Sequence, residues 1–423
     1  MKVAIVSSLF APFALGGAEQ VAAQIAEGLD RAGHTVDIIS TCRRRDLRGR
    51  LCQMDRWNGI RVWRIAPWNL YWRFDRETEQ PGRLKRTAWH LVDLWNPTVV
   101  RPLTEVLEKI APDIVNTHNI DGFSPLVWKL ARRHAGALIH TLHDYHLICP
   151  RALMIKRDGA SCPSLCGGCR IYSAYNGLFQ DYVDAFISPA QVVADLHRSA
   201  GWTGPRVIVI PNAADPPEVL SSERSPSAPL QVVFMARLVS EKGCEAMLKV
   251  VDRFRRDPGI HFHVAGKGPY EQRFSALSGV VPNLTFHGHV NGLQKMALLS
   301  AGDVFLQLSE WRENAPLSLL EARQHGLYLV GTNIGGIPEI IRDPSHGCLI
   351  PVGDSQFLDG LLEQQIANRG RLRSEREIRE QQGRAYGVRE MNQEYLNVFA
   401  SLTVKSRPES PAERHRNSTS ASI

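Results

Sequence analysis

Short apolar runs alternate along this chain with longer segments whose apolar positions recur at helical spacing. The first run, Lys2–Ser8, reads as a buried strand. A loop carrying Gly16-Gly17 follows, then Val21, Ile25 and Leu29 with Ala22 and Ala26 beside them. That spacing makes one apolar face on a helix predicted over Ala18–Ala32. Gly33 stands where a glycine ends a helix, and His34–Ser40 is apolar again. Asp113–His118 and Leu138–Leu142 read as further strands. Short apolar strands separated by amphipathic helices imply a parallel sheet covered on both faces.

A second series opens at Gln231–Ala236, followed by a helix carrying Met247, Leu248, Val251 and Phe254. Strands are predicted over His261–Ala265, Leu284–His287, Asp303–Leu308, Tyr328–Gly331 and Cys348–Pro351. The Pro-, Ser- and Glu-rich segment Asp215–Pro229 separates the two series. The organisation expected is an N-terminal domain over 1–214, a linker over 215–229 and a C-terminal domain over 230–384. A helix follows over 385–402, then a tail over 403–423 with too little apolar content to order itself.

Composition narrows the partners. Of 423 residues, 43% are hydrophobic, enough for two cores. The net charge of +7 suits anionic small molecules or an anionic membrane face. Nucleic acid is set aside, because 43 acidic residues nearly match 50 basic ones and no nucleic-acid module appears. No apolar run is long enough to span a bilayer. The apolar start belongs to the first strand rather than to a secretory signal, so a cytoplasmic protein is expected, with the cytoplasmic membrane face as a candidate surface.

The most informative stretch is Glu313-Asn-Ala-Pro-Leu-Ser-Leu-Leu-Glu321, with Gly335-Gly-Ile-Pro-Glu339 after it. Pro316 fits the first turn of a helix, which places Glu313 on a loop and Glu321 inside the helix. A helix N-terminus offers free N–H groups to phosphate, and a carboxylate beyond it accepts bonds from sugar hydroxyls. Arg237 and Lys242 follow the first strand of the second series, at the strand end where open α/β sheets bind ligands. Two cations there suit a diphosphate, although either alone reads better as a solvated loop residue. Gly266 and Gly268 end the next strand, and His287-Gly-His289 the one after. In the first series, His118 and His143-Asp144 end two strands that face the same crevice.

Two clusters stand apart. Cys149, Cys162, Cys166 and Cys169 lie within 21 residues, spaced C-x12-C-x3-C-x2-C. Four thiolates can close a structural zinc site, and the bland alternative is free thiols packed in a loop. Six of the nine Trp residues fall between Arg56 and Trp95, together with eight Arg or Lys. Rings mixed with cations suit a membrane surface or an amphipathic acceptor, and equally suit helices packing half-buried Trp.

In order along the chain, Gly16-Gly17-Ala-Glu, His143-Asp144, Pro211-Asn212, Ala236-Arg-Leu-Val-Ser-Glu-Lys-Gly243, Ala265-Gly-Lys-Gly-Pro269, Glu313 to Glu321 and Gly335-Gly-Ile-Pro-Glu339 resemble the retaining glycosyltransferases of family 4. The resemblance covers roughly residues 2 to 400. It implies the GT-B fold: two Rossmann-like, doubly wound domains facing a central cleft, with a C-terminal helix crossing back to the first. Gly387–Leu402, with Tyr395, Leu396 and Phe399 apolar, can supply that helix.

It further implies that Arg237 and Lys242 hold a donor diphosphate and Glu321 the ribose hydroxyls. Glu313 would lie beside the donor sugar. Asn314, Ala315, Pro316 and Leu317 would offer backbone amides, with Gly16, Gly17, Gly266 and Gly268 completing the donor site. His118 and His143 would face the acceptor or the reacting carbon. The implied activity is transfer of a hexosyl group, with retention, from a nucleoside-diphosphate sugar to a glycan or lipid-linked glycan, without a catalytic cofactor. A GT-B epimerase or phosphorylase, or a non-catalytic sugar-nucleotide scaffold, is the alternative. Asn212-Ala-Ala-Asp215, Asn116 and Asn314-Ala-Pro316 depart from the commonest family residues, which bears on donor identity rather than on reaction class.

Overall fold

The computed structural model describes residues 1–13, 16–75, 81–156, 159, 161–215, 225 and 227–406. Among them, fourteen strands form two sheets. The first sheet holds β1 (Lys2–Ser7), β2 (Thr35–Thr41), β3 (Cys52–Trp57), β4 (Ile60–Ile65), β5 (Ile114–Thr117), β6 (Ala137–Thr141), β7 (Ala185–Ser188) and β8 (Arg206–Val209), in the order β3-β4-β2-β1-β5-β6-β7-β8. Only the β3–β4 pair is antiparallel. The second sheet holds β9 (Leu230–Met235), β10 (Ile260–Ala265), β11 (Leu284–Phe286), β12 (Val304–Gln307), β13 (Tyr328–Thr332) and β14 (Gly347–Ile350). It is wholly parallel, in the order β11-β10-β9-β12-β13-β14.

The helices of the first half are α1 (Gly17–Arg31), α2 (Arg83–Leu94), α3 (Val100–Ile110), α4 (Leu126–His134), α5 (Gly167–Gly177) and α6 (Gln191–Ser199). Those of the second are α7 (Cys244–Arg253), α8 (Glu271–Ser278), α9 (Gly292–Ala301), α10 (Leu317–Gln324), α11 (Ile337–Ile340), α12 (Ser355–Ala367), α13 (Arg369–Ser374), α14 (Arg376–Gly383) and α15 (Val388–Ser406). Helices cover both faces of each sheet, so the central strands are buried throughout.

Strand order positions the site. In both sheets the chain works outward from a first strand in one direction, then returns and works outward in the other. The reversal falls between β1 and β5 in the first sheet and between β9 and β12 in the second. Loops leaving those strand pairs part in opposite directions and open a crevice, which is where doubly wound sheets bind ligands. The residues after β1 include Gly16-Gly17 and those after β5 include His118. Arg237 follows β9 and Glu313 follows β12. The two crevices therefore carry the residues that the motifs single out.

Met391, Tyr395 and Phe399 of α15 are buried in one cluster with Val21, Ile25 and Leu29 of α1, so the last helix packs on the first half. The approach is close: a side chain at Gly28 would run into Asn392 at 2.2 Å. This helix continues to Ser406, so Thr403–Ser406, assigned above to the tail, are helical. Helical hydrogen bonds, once started, propagate past the point where the apolar pattern ends. Pro316 sits one position earlier than expected, as the N-cap of α10 rather than in its first turn. Most of the expected linker, and the tail beyond Ser406, lie outside the described residues. Among the described residues no helix is long and apolar enough to cross a membrane.

Candidate active site

Glu313 is buried at the mouth of the second sheet. Its Oε1 accepts bonds from Lys242 Nζ at 2.5 Å, Ser309 Oγ at 2.6 Å and Gln307 Nε2 at 3.3 Å. Lys242 also lies over the Trp311 ring, 5.0 Å from its centroid. A buried carboxylate demands such compensation, and a cation plus two donors supply it. The loop holding Glu313 is fixed by the second glycine motif. Cβ atoms at Gly335 and Gly336 would meet Glu313 N at 2.7 Å and Asn314 O at 1.8 Å, so only glycine lets the two loops lie this close. Asn314 follows, buried, with neither atom of its side-chain amide bonded within the protein. An orphaned buried amide costs about 1–3 kcal/mol, which a ligand or water in the site relieves.

Leu317 and Glu321 lie in α10. Leu317 inserts into the core of the first half, where a side chain at Gly17 would touch it at 3.3 Å. The cleft is thus closed at this point. Glu321 Oε1 accepts a bond from Lys295 Nζ of α9 at 2.5 Å and one from Gln20 of α1 at 3.4 Å. Ala315 O accepts a 3.4 Å bond from Asn212, again across the cleft. Arg237 is exposed on the loop after β9. Gly266 and Gly268, at φ 143° and 153°, lay the next loop directly against the carbonyls of Ala236 and Leu238 and so brace the Arg237 loop from behind.

Gly16 differs from expectation in one respect. Its N–H is already taken by Glu19 Oε2 at 2.8 Å, closing the first turn of α1. This leaves the turn braced from within rather than open to an anion at that amide.

On the facing side, His143 and His118 stack with ring centroids 4.9 Å apart, and His118 Nδ1 meets His143 Nε2 at 2.6 Å. His118 is wholly buried against His143. Asn116 Nδ2 donates to His118 Nε2 at 3.2 Å, and Thr141 Oγ1 to Asn116 Oδ1 at 3.2 Å. In that arrangement His118 Nδ1–H donates to His143 Nε2, which leaves the proton of His143 on Nδ1. Burial pulls His143 down to about 4, so its ring is neutral near neutral pH.

Beside His143, Asp144 is pushed up to about 6, by burial first and then by Asp121. Asp93 is pushed up to about 7 by the same two causes. Arg73 forms an ion pair with Asp121, and the Arg73 charge opposes burial in holding that carboxyl below its ordinary value. Ligand atoms of Asp93, Asp121 and His146 fall within 4.8 Å of one another. Arg73 already supplies the cation there, so the set reads as an ion-pair network. An aromatic cavity of about 90 Å³ opens next to it, lined by Trp68, Tyr71, Trp72 and Trp89 with Arg73 and Asp121. Trp68 and Trp95 are exposed and Trp89 is buried, so the Trp-rich segment both packs and lines a surface.

The structure therefore brings Lys242, Glu313, Asn314, Leu317, Glu321 and Gly17 together. Sequence reasoning missed Gln20, Lys295, Gln307, Ser309 and Trp311. Gln307 and Ser309 carried a signal, being two polar residues on one face of an otherwise apolar strand end. Of the four cysteines, Cys166 and Cys169 lie at the start of α5, and Cys149 follows His143-Asp144 in the loop after β6.

Two family models match, "Glycosyl transferases group 1" over residues 217–385 and "Glycosyl transferase 4-like domain" over residues 16–213. The chain is 25% identical over 343 residues to an uncharacterized 42.6 kDa protein in the cps region of Klebsiella pneumoniae, covering 81% of this chain and 88% of that one. It is 27% identical over 237 residues to a subunit of the phosphatidylinositol N-acetylglucosaminyltransferase of Arabidopsis thaliana, covering 52% of this chain and about half, 53%, of that one. HepE of Anabaena, solved in complex with UDP, superposes with a TM-score of 0.66 at 16% identity, covering 95% of this chain and 100% of that one. The two sheets, the cleft between them and the returning helix are the GT-B fold. With one model matched by each half, this chain belongs to the group 1 glycosyltransferases of the family 4 type.

Proposed function

We propose that this enzyme transfers a hexosyl group from a nucleoside-diphosphate sugar to a hydroxyl of a glycan or lipid-linked glycan, with retention, in polysaccharide or glycoconjugate assembly. The observation that carries the reading is the Lys242–Glu313 pair, 2.5 Å apart in front of the α10 N-terminus, with the unpartnered Asn314 amide beside it. Together they offer a cation and free amides for a diphosphate, and a carboxylate and an amide for sugar hydroxyls. HepE, of the same fold, is solved with UDP, and the Arabidopsis relative is named for phosphatidylinositol, which supports a nucleotide donor and a lipid-linked acceptor.

In the reaction, the bond from the anomeric carbon to the diphosphate oxygen breaks and its electron pair leaves with the diphosphate. Lys242, Arg237 and the first amides of α10 meet that charge as it grows. The acceptor oxygen bonds the anomeric carbon from the same face, and its proton passes to the departing phosphate oxygen. Neutral His143, held by His118, presents Nδ1–H and adds no positive charge beside the cationic sugar. Glu321 holds the ribose hydroxyls, taking them in exchange for Gln20. Closure of the cleft over the bound donor would keep water from the reacting carbon.

A panel of nucleoside-diphosphate sugars scored by thermal shift identifies the donor, because a ligand of the native state raises its apparent stability. Product analysis then tests the reaction. Nucleoside diphosphate should appear in step with glycoside and only when acceptor is present. Release without acceptor, or isomerised donor as the product, rejects the transferase reading. Glu321→Ala should weaken donor binding about tenfold or more, through loss of a charged hydrogen-bond acceptor. Unchanged donor affinity in that variant rejects the site assignment.

A further inference from the structure

We propose that the outer faces of α2 and α5 form one patch that docks this enzyme on an anionic membrane surface. Leu84 and Leu91 of α2 are 88% and 64% exposed. Ile171 of α5 and Leu178 at its C-cap are 75% and 73% exposed. Each pair is separated by two helical turns, so each marks one face of its helix. The face of α2 that packs is another one, where Trp89 and Asp93 are buried. The two outer faces adjoin. Tyr175 of α5 donates through Oη to Leu94 O at 3.0 Å, and the Trp95 ring lies 6.4 Å from that of Phe179, the neighbour of Leu178. Trp95 itself is 53% exposed. Trp68, 49% exposed, is pinned next to it by Asn96, whose Nδ2 donates to Trp68 O at 2.8 Å. Single exposed apolar residues are ordinary, but a set gathered on adjoining elements marks an interaction surface.

Charge selects the occupant. Lys85 and Arg86 are exposed in the first turn of α2, and Arg170 in that of α5. Helix α5 holds no acidic residue, and α2 holds only Asp93, which is buried. Leucines and half-exposed indoles flanked by cations suit the boundary between acyl chains and anionic headgroups. There Leu enters the apolar layer, Trp stays at headgroup level, and Lys and Arg meet phosphate. The inner faces of the same helices hold the His143 side of the cleft. Asp93 of α2 accepts the Gly122 N–H at 2.9 Å, Tyr172 of α5 meets His146 at 3.3 Å, and Asn176 holds Leu147 O at 3.0 Å. One helix thickness, about 10 Å, therefore separates the docked membrane from the acceptor side. A lipid-linked acceptor would be presented there while its lipid stays in the bilayer. That consequence rests on the acceptor reading given above, whereas the docking does not.

The full-length protein, with neither donor nor acceptor present, should sediment with vesicles of phosphatidylcholine holding about 30 mol% phosphatidylglycerol at about 0.15 M salt. It should sediment far less with phosphatidylcholine alone. Leu91→Glu and Leu178→Glu should each weaken that binding about tenfold or more, and keep the wild-type melting temperature because both side chains stand in water. Lys85→Gln combined with Arg86→Gln should weaken it by about the same factor and reduce its salt dependence. Val280→Glu, at a position 68% exposed in the second half, should bind as wild type does. Donor binding by thermal shift should be unaltered in all these variants, which separates failure of docking from failure of the donor site. Wild-type protein that leaves the anionic vesicles unbound overturns the proposal, whether or not the variants fold. So does vesicle binding untouched by both leucine changes. Self-association that those changes abolish, without vesicle binding, also overturns it and assigns the face to a second copy of this chain.

Discussion

The two sides of the cleft hold their buried charges in opposite ways. On the α10 side each carboxylate has its own lysine: Glu313 with Lys242 and Glu321 with Lys295, both at 2.5 Å. On the His143 side, Asp93, Asp121 and Asp144 share Arg73, and burial raises two of the three carboxyls to about 7 and about 6. The first arrangement stores full charge ready to be exchanged with a ligand. A diphosphate would share Lys242 with Glu313, whose Ser309 and Gln307 bonds remain. The second holds His143 neutral and lets Asp93 and Asp144 change charge between about pH 6 and about pH 7, so its charge is sensitive to pH. It suits the side where an uncharged hydroxyl must approach a cationic sugar.

Breaking the first arrangement should have the largest effect. Glu313→Gln keeps the shape and an acceptor for Ser309 but leaves Lys242 without its carboxylate. Removing one partner of a buried pair costs about 3–5 kcal/mol in either variant, and Glu313→Ala should unfold at a lower temperature still than Glu313→Gln, because it also leaves the Ser309 and Gln307 donors without an acceptor. In the glutamine variant kcat should fall on the order of a hundredfold, with donor affinity changed less. Equal loss in donor affinity and no further loss in kcat would assign Glu313 to ground-state binding alone.

The same contrast explains what the sequence revealed. The α10 side was legible because it is built from short contiguous segments. Glu313 to Glu321 and Gly335 to Glu339 each set their residues by local geometry, a strand end, a helix start or a glycine approach. Lys295 escaped notice because it reaches Glu321 from a neighbouring helix with no motif of its own. The His143 side was legible only as isolated strand ends. Asp93 sits in α2, Asp121 after β5 and Arg73 in the loop before α2, and only tertiary packing gathers them. The sequence places His118 at a strand end, but its contact with His143 is set by tertiary packing. The parallel α/β class in two series was the most legible level, since it follows from alternating apolar runs, whereas strand order is set by tertiary packing.

The second arrangement should break with pH. Asp93 is raised above the ordinary carboxyl value by burial and then by Asp121. Its folded form therefore holds the proton more tightly than its unfolded form. The stability that the neutral carboxyl contributes is present at low pH and lost as pH rises from about 4 through about 7. Asp93→Asn is neutral throughout and can still accept the Gly122 N–H bond that Asp93 now takes at 2.9 Å. Its melting temperature should gain on wild type between pH 5 and pH 8, by a free-energy difference of about 2–4 kcal/mol. His143 titrates with the opposite sign, since burial lowers it to about 4, but it is present in both proteins and cancels. A difference independent of pH would show that Arg73 neutralises Asp93 as fully as Lys242 does Glu313.

A smaller effect tests the contact that joins the two sides. Glu339, from the second glycine motif, accepts bonds from the N–H groups of Gln191 and Val192, both at 2.8 Å. Those amides begin α6, which belongs to the first half, so a side chain of one half caps a helix of the other. Gly336 allows it by lying against Ala190, where a Cβ would be only 3.2 Å away. Loss of a helix cap costs about 1 kcal/mol. Glu339→Ala should therefore speed hydrogen exchange at Gln191 and Val192 by about five- to tenfold and leave the amides of β9 unchanged. Glu339→Gln, which keeps one acceptor oxygen, should recover part of the protection. If the cap holds only α6, transfer kinetics stay as in wild type. If it also holds the halves together, the alanine variant raises the apparent KM for donor and acceptor alike, because both ligands need the closed cleft. Unaltered exchange at the two amides would mean that the capping bonds are not made in solution.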